Sequence, residues 1–366
     1  MEIRINRAEL LTELAPMQGI VERKSTIPVL SHILLKAKDG KLHIAATDLD
    51  VSLTSWCDAA TDREGAVAVQ ARKFLEIVRA MVGDEVHLVE EDNHGLRITS
   101  GKSRFKIRGL SSDDFPTLPE VGEGAQIELP HGDFRKMISK IFFAVSAEES
   151  RFQLNGALLK PKSGSLEMVA TDGHRLALVE TPVAGVEESE GVLVPRKALQ
   201  ELQRFDGDDA VTFRRGEHHL SFGVGRRELI CRILEGTFPD YEKVISKDND
   251  KVVSFPRKGL GEVVSRVALL TGDRARAVRM AFEDQQLVVS AANPDLGEAV
   301  EEIECEYEGP TLELGINPDY LGQFLSVVES DDVLLKLKDE NSQCIGAPAE
   351  ESDDERYLCV IMPMRL

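Results

Sequence analysis

A threefold internal repeat constrains this chain more than any other feature, because one supersecondary plan must fit three times. The first block reads LLKAKDGKLHIAATDLDVSL over 34–53 and LLKPKSGSLEMVATDGHRLAL over 158–178. A weaker copy, MAFEDQQLVVSAANPDLGEAV, covers 280–300. Equivalent leucines lie 124 and 121 residues apart: Leu42, Leu166 and Leu287.

A second block follows each copy of the first in the same order. It reads VQARKFLEIV from Val69, VPRKALQELQ from Val194 and INPDYLGQFLSVV from Ile316. In a chain of 366 residues, these spacings predict three copies of one domain, covering 1–122, 123–245 and 246–366.

Each copy carries the same coarse pattern of elements. A short alternating strand leads into an amphipathic helix, strand pairs joined by Gly-containing turns follow, and a second helix opens near a proline. Two helices and several antiparallel strands per copy predict an α+β fold, and the scarcity of helices disfavours a doubly wound parallel sheet.

Charge is distributed unevenly along the chain. Lys and Arg number 44 and Asp and Glu 64, a net charge of −20, which argues against a protein coated in nucleic acid. The six predicted helices nevertheless sum to +5, so the remaining residues carry −25. Their ranges are 6–15, 72–81, 133–141, 196–205, 257–267 and 318–329. Either the helices share a surface that faces an anion, or they carry ordinary mixed charge on a solvated face.

Basic pairs begin three of the predicted helices, and this placement opposes the helix macrodipole. Each pair lowers the stability of its helix by about 0.3–1 kcal/mol if it is exposed. A selective pressure other than helix stability is therefore indicated, and a phosphate backbone is one candidate ligand. The pairs are Arg72-Lys73, Arg196-Lys197 and Arg257-Lys258.

Domain size limits how such a chain could surround DNA. A domain of 122 residues has a radius of gyration of about 14 Å, equivalent to a sphere about 35 Å across. Three such spheres in a ring leave a hole of about 5 Å, whereas six leave about 35 Å. Because a DNA duplex is roughly 20 Å wide, one chain cannot encircle it, whereas a two-fold dimer with six domains could, with water between. Contacts to phosphate would then carry no sequence information and allow sliding.

The composition also bears on location and cofactors. The chain begins with charged residues where a secretory signal needs an apolar run, and no apolar stretch is long enough to span a membrane. Five cysteines, an odd number without Cys-x-x-Cys or zinc-finger spacing, indicate reduced thiols in the cytoplasm. We expect no metal and no cofactor.

An enzyme is the rival class, with Thr171, Asp172 and His174 as nucleophile, acid and base. On a strand, Asp172 and His174 would face one side and Thr171 the other, so a compact triad is awkward. The first copy has Thr47-Asp48 without a histidine. The shared segment is therefore interpreted as a structural turn, with no catalytic residue, and no Walker or dinucleotide-binding loop occurs.

Several motifs in this sequence resemble the bacterial sliding clamps, the beta subunits of DNA polymerase III. The resemblance covers the whole chain. Its most specific pieces are Thr171-Asp172-Gly173-His174-Arg175-Leu176, Phe238-Pro239-Asp240-Tyr241 and the ending Met362-Pro363-Met364-Arg365-Leu366. It implies three repeated domains of the DNA-clamp type, assembled as a head-to-tail dimeric ring.

The implied function is a DNA sliding clamp. The ring would encircle double-stranded DNA without sequence specificity and tether a replicative polymerase for processivity. The implied partners are a second copy of the chain, the DNA polymerase III alpha subunit, the clamp loader complex, and other polymerases and repair proteins with clamp-binding linear motifs. An acidic scaffold that binds peptides without DNA is the alternative.

The resemblance further implies a partner-peptide pocket between the second and third domains. Flexible methionines suit a surface that accepts many partners. The alternative is that Met362 and Met364 form the inward face of an edge strand. The matching residues are Leu154, Thr171, Gly173, His174, Arg175, Leu176, Pro239, Val244, Tyr320, Val360, Met362, Pro363 and Met364.

Two further groups of residues have expected roles. Phe105, Leu269 and Leu270 match the family's dimer contact, although a buried strand residue and a helix end are the plainer interpretations. DNA contacts are expected from a loop lysine, from two helix starts and from a basic cluster in the third domain, any of which can also be a solvated charge. These residues are Lys24, Arg72, Lys73, Arg196, Lys197, Arg274, Arg276 and Arg279.

Overall fold

Six α-helices occur in the part of the chain that the structure, a computed structural model, describes, namely residues 1–22, 26–122, 126–207, 209–272, 276–350 and 355–365. Two helices fall in each copy of the repeat, as the sequence predicts. They are α1 (Arg7–Ile20), α2 (Ala71–Ala80), α3 (His131–Ile141), α4 (Arg196–Leu202), α5 (Arg257–Val267) and α6 (Pro318–Val327).

Nine strands lie in the described part of the first copy. They are β1 (Glu2–Asn6), β2 (His32–Lys38), β3 (Lys41–Thr47), β4 (Val51–Asp58), β5 (Ala60–Arg63), β6 (Gly65–Gln70), β7 (Glu85–Glu91), β8 (Gly95–Ser100) and β9 (Ser103–Ser111).

The second and third copies follow the same plan. The second contains β10 (Gln126–Pro130), β11 (Gly156–Lys162), β12 (Ser165–Thr171), β13 (Arg175–Pro182), β14 (Val192–Pro195), β15 (Ala210–Arg215), β16 (His219–Val224) and β17 (Arg227–Arg232). The third contains β18 (Lys251–Pro256), β19 (Val278–Glu283), β20 (Gln286–Asn293), β21 (Gly297–Glu304), β22 (Leu312–Ile316), β23 (Asp332–Leu337), β24 (Cys344–Pro348) and β25 (Arg356–Ile361).

The described residues group into two compact units. The first comprises Met1–Arg135 with Lys197–Ile233, and the second comprises Lys136–Arg196 with Leu234–Leu366. These units group residues by contact, so domain boundaries after residues 122 and 245 stay a prediction.

The first unit is built on one antiparallel sheet of 13 described strands. Its order is β10-β15-β16-β17-β4-β3-β2-β6-β9-β8-β7-β1-β5. The β17–β4 pair, in which Leu229 lies opposite Leu53, joins a strand of the second copy to a strand of the first.

The second unit contains two antiparallel sheets among its described residues. One runs β14-β11-β12-β13-β25-β24-β23-β18, and the other runs β21-β20-β19-β22. The β13–β25 pair, in which Leu176 lies opposite Val360, joins the second copy to the third in the same way. Helices with antiparallel sheets confirm the α+β class.

Helix α1 is longer than the predicted range 6–15, because it continues through Pro16 to Ile20. A proline has no N–H and cannot bond the carbonyl four residues before it, which here belongs to Thr12. Arg227 Nη2 donates to that carbonyl oxygen at 3.2 Å. A side chain 215 residues away therefore satisfies the group that Pro16 leaves free.

Repeated tight turns connect the β2–β3 and β11–β12 hairpins, as the glycine positions predict. Gly40 has φ of +73° and Gly164 has φ of +77°, a region that glycine enters without steric cost. The third copy makes its β19–β20 turn with Gln285 at φ of +60°. This lack of a glycine is one reason the third copy is the weakest match in sequence.

Candidate peptide pocket and nucleic-acid interface

The 171–176 segment forms a tight turn between β12 and β13 in the second unit. Thr171 Oγ1 donates to the Arg175 carbonyl oxygen at 2.7 Å and accepts from the Gly173 N–H at 3.1 Å. Asp172 Oδ1 accepts from the backbone N–H groups of His174 and Arg175, at 2.9 and 3.1 Å. The Thr171 and Asp172 side chains are therefore occupied in holding the turn, as the structural interpretation of this segment requires.

Arg175 holds the turn against its surroundings. The side chain is 8% exposed, and its Nε donates to Asp172 Oδ2 at 3.1 Å. Its other guanidinium nitrogens donate to Gln323 Oε1 and to the Phe143 carbonyl oxygen. The guanidinium carbon lies 4.3 Å from the ring centroid of Tyr320. Arg175 thus links β13, α6 and the turn after α3, and neither Gln323 nor Phe143 was among the predicted pocket residues.

The first copy repeats this turn with different side chains. Asp48 Oδ1 accepts from the Val51 N–H at 2.7 Å, and the Leu49 N–H donates to Thr47 Oγ1 at 3.0 Å. Leu49 has φ of +82° and is 54% exposed where the second copy has a glycine. The carboxylate of Asp48 pairs with Lys197, whereas the equivalent carboxylate of Asp172 pairs with Arg175, whose place Val51 takes in the first copy.

An apolar cluster lies under the covering segment 238–245 on one face of the eight-stranded sheet. Tyr241 anchors this segment, because its hydroxyl donates to the buried Glu167 carboxylate. Burial, together with that bond, raises the pKa of Tyr241 well above its usual range. The buried members of the cluster are Val169, Leu176, Leu178, Tyr241, Ile345, Leu358 and Val360.

The C-terminal segment lies beside the turn. The Met362 N–H donates to the His174 carbonyl oxygen at 2.9 Å, and the Met364 N–H donates to the Gly315 carbonyl oxygen at 2.8 Å. Both bonds are made by backbone N–H groups, so they fix the position of the segment without involving the methionine side chains. Met362 is 40% exposed, so it is not the inward-facing residue of an edge strand.

All thirteen predicted pocket residues belong to the second unit. Leu154, Leu176 and Val360 are buried, whereas Pro239 and Val244 are exposed on the covering segment. Burial raises the pKa of the Tyr320 hydroxyl, which keeps it protonated and able to donate a hydrogen bond. The arrangement is an apolar base with exposed methionine, proline and valine and a few polar groups, which suits a short peptide with apolar anchors.

The predicted DNA-contacting residues that the structure describes all have internal partners. On α2, Arg72 and Lys73 both pair with Glu76. Arg196 Nη1 donates to the Val145 carbonyl oxygen at 2.7 Å, and Lys197 Nζ donates to the Ile20 carbonyl oxygen at 2.7 Å.

The third-domain cluster shows the same behaviour. Arg276 pairs with Asp319 at 2.6 Å and Arg279 pairs with Glu313. Lys24 and Arg274 lie outside the described residues. Surface ion pairs are weak and exchange readily with a phosphate, so DNA contact by this set stays a prediction.

The predicted dimer residues expose apolar surface. Phe105 on β9 is 41% exposed and Leu269, just after α5, is 76% exposed, while Leu270 is half-buried. The plainer interpretation of Phe105 as a buried strand residue is therefore wrong. Single exposed apolar side chains are common on protein surfaces, so dimer contact by Phe105, Leu269 and Leu270 stays a prediction.

Among the residues that the structure describes, one group of possible metal ligands lies outside the predicted pocket. Glu2, Asp62 and His87 present ligand atoms within 4.8 Å of one another. The Arg4 guanidinium already pairs with Asp62, which raises the pKa of Arg4, and Glu2 accepts from His87 at 3.2 Å. The positive charge of Arg4 would repel a metal ion at this group. All five cysteines are buried free thiols, and no described helix is long and apolar enough to cross a lipid bilayer.

The fold defines a class of protein built from repeated α+β domains, and the residues of the predicted peptide pocket all lie in one unit of it. Three family models match consecutive parts of the chain. They describe the DNA polymerase III beta subunit, with its N-terminal domain at residues 1–119, its central domain at 128–240 and its C-terminal domain at 242–365.

Relatives extend this similarity to the full length. The beta sliding clamp of Pseudomonas putida is 37% identical over 100% of both chains. The crystal structure of the Pseudomonas aeruginosa DNA polymerase III subunit beta is 34% identical, with a TM-score of 0.95 over 100% of both chains. A Pseudomonas aeruginosa clamp bound to griselimycin is 35% identical, with a TM-score of 0.94 over 100% of both chains.

The chain belongs to the DNA polymerase III beta subunit family, the bacterial sliding clamps. Its function is that of a processivity clamp for DNA polymerase in DNA replication, and it is not an enzyme. The resemblance inferred from the motifs is thus confirmed. The alternative of an acidic scaffold without DNA is not favoured.

Proposed function

We propose that two copies of this chain close head to tail into a ring of six domains around double-stranded DNA. The ring slides without sequence preference in the cytoplasm, where the five reduced thiols are stable. Its apolar pocket recruits the DNA polymerase III alpha subunit, the clamp loader complex, and other polymerases and repair proteins that carry clamp-binding linear motifs.

The distribution of charge carries this proposal. The six helices as observed sum to +5 within a chain of net charge −20, which leaves −25 on the remaining residues. Cationic helices toward phosphate and acidic residues elsewhere would hold a duplex by charge without gripping it. We assign DNA contact to Lys24, Arg72, Lys73, Arg196, Lys197, Arg274, Arg276 and Arg279, and dimer contact to Phe105, Leu269 and Leu270.

Ion pairs at the basic residues are compatible with such loose contact. Arg72 and Lys73 share the single carboxylate of Glu76, and Arg276 and Arg279 each face one exposed carboxylate. A phosphate competes with these carboxylates at little cost because the pairs are solvent-exposed. Binding should therefore be strongly salt-dependent and easily displaced along the duplex.

Retention on closed DNA tests the ring. The protein is placed on a nicked circular duplex by a clamp loader with ATP, and the complex is passed through a sizing column at high salt. We expect the protein to stay with the circle and to leave when a restriction enzyme linearises it. Dissociation from the intact circle at the same rate as from linear DNA would show ordinary binding.

A matched control separates topology from affinity. Linear DNA with both ends blocked by bound protein should retain the clamp as well as the circle does. Retention on linear DNA with free ends would contradict encirclement. The exposed Lys36→Ala variant, on strand β2 and outside both the helices and the assigned set, reports how far one surface charge alone alters retention.

Removing residues 362–366 tests the pocket. We expect loss of peptide binding with the dimer intact, since Met362–Met364 lie beside the turn and away from Phe105 and Leu269 in the sequence. Fluorescence anisotropy measures peptide affinity and sedimentation measures mass. Unchanged affinity would refute the pocket assignment.

A further inference from the structure

A groove of 470 Å³ opens on the same face of the eight-stranded sheet as the apolar cluster. Leu334, Lys336, Ile345, Ala347 and Leu358 line it from β23, β24 and β25, and the backbone and side chains of 245–247 form one wall. None of these residues belongs to the pocket proposed above. The groove is therefore distinct from the proposed pocket in its lining residues, although both lie in the second unit.

Positive charge gathers at one end of the groove. Lys247 is exposed and Lys336 is half-buried, and neither ammonium group has a carboxylate partner among the described residues. At the other end, Glu355 is paired with Lys140, and Arg356 lies 3.8 Å from Glu180. Glu350 also lines the groove, beyond Pro348. In a chain of net charge −20, two lysines that have no carboxylate partner in the described part of the chain, beside an apolar base, form an unusual local site.

The basic end of the groove adjoins the proposed pocket. Ile345, which lines the groove, is the cross-strand partner of Val360, which lines the pocket. Ile345 and Leu358 belong to the same apolar cluster as Leu176 and Val360. The two surfaces are thus successive parts of one sheet face.

Hydrogen bonds fix the wall between groove and sheet. Gln343 Nε2 donates to the Val244 carbonyl oxygen at 2.9 Å, and Asn249 Nδ2 donates to the Lys336 carbonyl oxygen at 2.7 Å. These bonds tie both ends of the 245–247 wall to β23 and the start of β24. A ligand would therefore meet a formed surface.

We propose that the groove binds an acidic segment that flanks the apolar anchor of a docking peptide, with a carboxylate of the peptide between Lys247 and Lys336. The inference rests on the pocket proposed above, which would hold the anchor. Val360 and Lys336 are two strands apart, about 10 Å at the usual strand spacing. An extended chain spans that distance in about three residues, so the acidic residue should lie about three positions from the anchor.

Selection from random peptides tests this spacing. A phage-displayed pool of random 15-residue peptides is selected on the wild-type dimer and on the Lys247→Glu/Lys336→Glu variant. We expect wild-type binders to share an apolar anchor with Asp or Glu at one fixed offset. On the variant, we expect the same anchor, with Lys or Arg at that offset.

Synthetic peptides then give the size of the effect. An anchor-only peptide should bind both proteins equally, and the acidic extension should improve wild-type affinity about three- to tenfold, as two partly exposed ion pairs can supply. The gain should vanish in the double variant and in high salt. The exposed Lys258→Glu substitution on α5 is the matched charge control and should preserve the gain.

The outcomes separate the two proposals. Anchor-only binding without any gain from the acidic extension would overturn the groove assignment and leave the pocket standing. The same acidic enrichment on wild type and double variant would also overturn it. Failure to recover any common apolar anchor on the wild type would refute the pocket, and with it this inference.

Discussion

At the scale of single residues, Arg175 shows how one side chain builds the candidate site. Its guanidinium serves three acceptors, on Asp172, Gln323 and Phe143, and stacks on Tyr320. A planar fork with five N–H groups can meet these demands together, whereas an ammonium group cannot. We therefore propose Arg175 as a positioning residue for the proposed pocket.

Arg175→Lys should destabilise the protein by about 2–3 kcal/mol, because buried acceptors lose their donors. It should also weaken peptide binding, since the turn that carries His174 loses its tie to α6. Urea unfolding and anisotropy check both effects. Arg276→Lys, at an exposed ion pair, is the matched control and should change stability by less than about 0.5 kcal/mol. Equal effects of the two substitutions would contradict the assigned role.

A buried carboxylate on α4 gives a pH-dependent prediction. Glu201 is 2% exposed, its Oε1 accepts from Arg204 at 2.7 Å, and its Oε2 has no hydrogen-bond partner among the described residues. Burial raises the pKa of Glu201 above its usual 4.5, against the opposing charge and hydrogen bond of Arg204. Its contribution to stability is complete below pH 4.5 and is lost as the pH rises through the raised pKa.

Glu201→Gln should therefore stabilise the protein relative to wild type at pH 8, by about 1 kcal/mol, and less at pH 4. Thermal unfolding at both pH values measures the difference. Glu76→Gln is the opposite control, because hydrogen bonds from Lys73 and Arg72 lower the pKa of Glu76. The loss of the Glu76 carboxylate should lower the stability of the protein at pH 8, and this effect should become smaller as the pH falls. A pH-independent difference for Glu201→Gln would contradict the assignment.

Some of these residue roles could be predicted from the sequence. The glycines at positions 40 and 164 signal their turns directly, and the motifs around His174 and Met362 indicate the pocket by resemblance. The role of Gln323 could not be predicted from the sequence, because its contact with Arg175 joins residues that are 148 positions apart. No local pattern encodes such a contact, which depends on how α6 packs in the third copy.

At the scale of elements, α6 and β24 approach each other closely. A Cβ placed on Gly346 would lie 2.7 Å from Phe324 Cε1, so a larger residue at this position would require the buried Phe324 ring to shift. A Cβ placed on Gly322, which lies on the same helix, would meet no atom within 4 Å. The absence of a side chain at Gly322 therefore serves no packing need.

Gly346→Ala should cost about 1–3 kcal/mol through overpacking. Gly322→Ala should instead stabilise by about 0.5–1 kcal/mol, because alanine has the higher helix propensity. Differential scanning calorimetry measures the unfolding of both variants, and each variant serves as the control for the other. A neutral Gly346→Ala would show that the Phe324 ring can move aside.

Helix existence was predictable and helix length was less so. The predicted ranges overlap all six helices, yet α1 passes through Pro16 and α4 ends at Leu202, before the predicted residue 205. Arg227, far along the chain, satisfies the carbonyl that Pro16 exposes. Tertiary contacts of this kind override the local stop signal that a proline provides.

At the scale of the whole molecule, the copies are joined edge to edge by strands. β17 pairs with β4, and β13 pairs with β25. Such pairings remove exposed strand edges, which otherwise invite aggregation. They escape sequence reasoning because pairing between distant strands leaves no local periodicity. The repeat itself is visible, since each copy keeps its own pattern.

Replacing Leu269 and Leu270 with aspartate should give monomers, since a charge at an apolar contact is left unpaired on association. Sedimentation velocity at micromolar concentration measures the mass. Leu49→Asp, at another exposed leucine, is the matched control and should leave the dimer unchanged. A Leu269→Asp/Leu270→Asp protein that still sediments as a dimer would place the interface elsewhere.

The most direct measurement of the central claim is a cryo-electron microscopy structure of the protein with a duplex. We predict two chains whose six domains surround a hole about 35 Å across, with the helices facing the duplex. A single chain bound beside the duplex, or helices on the outer surface, would contradict the account.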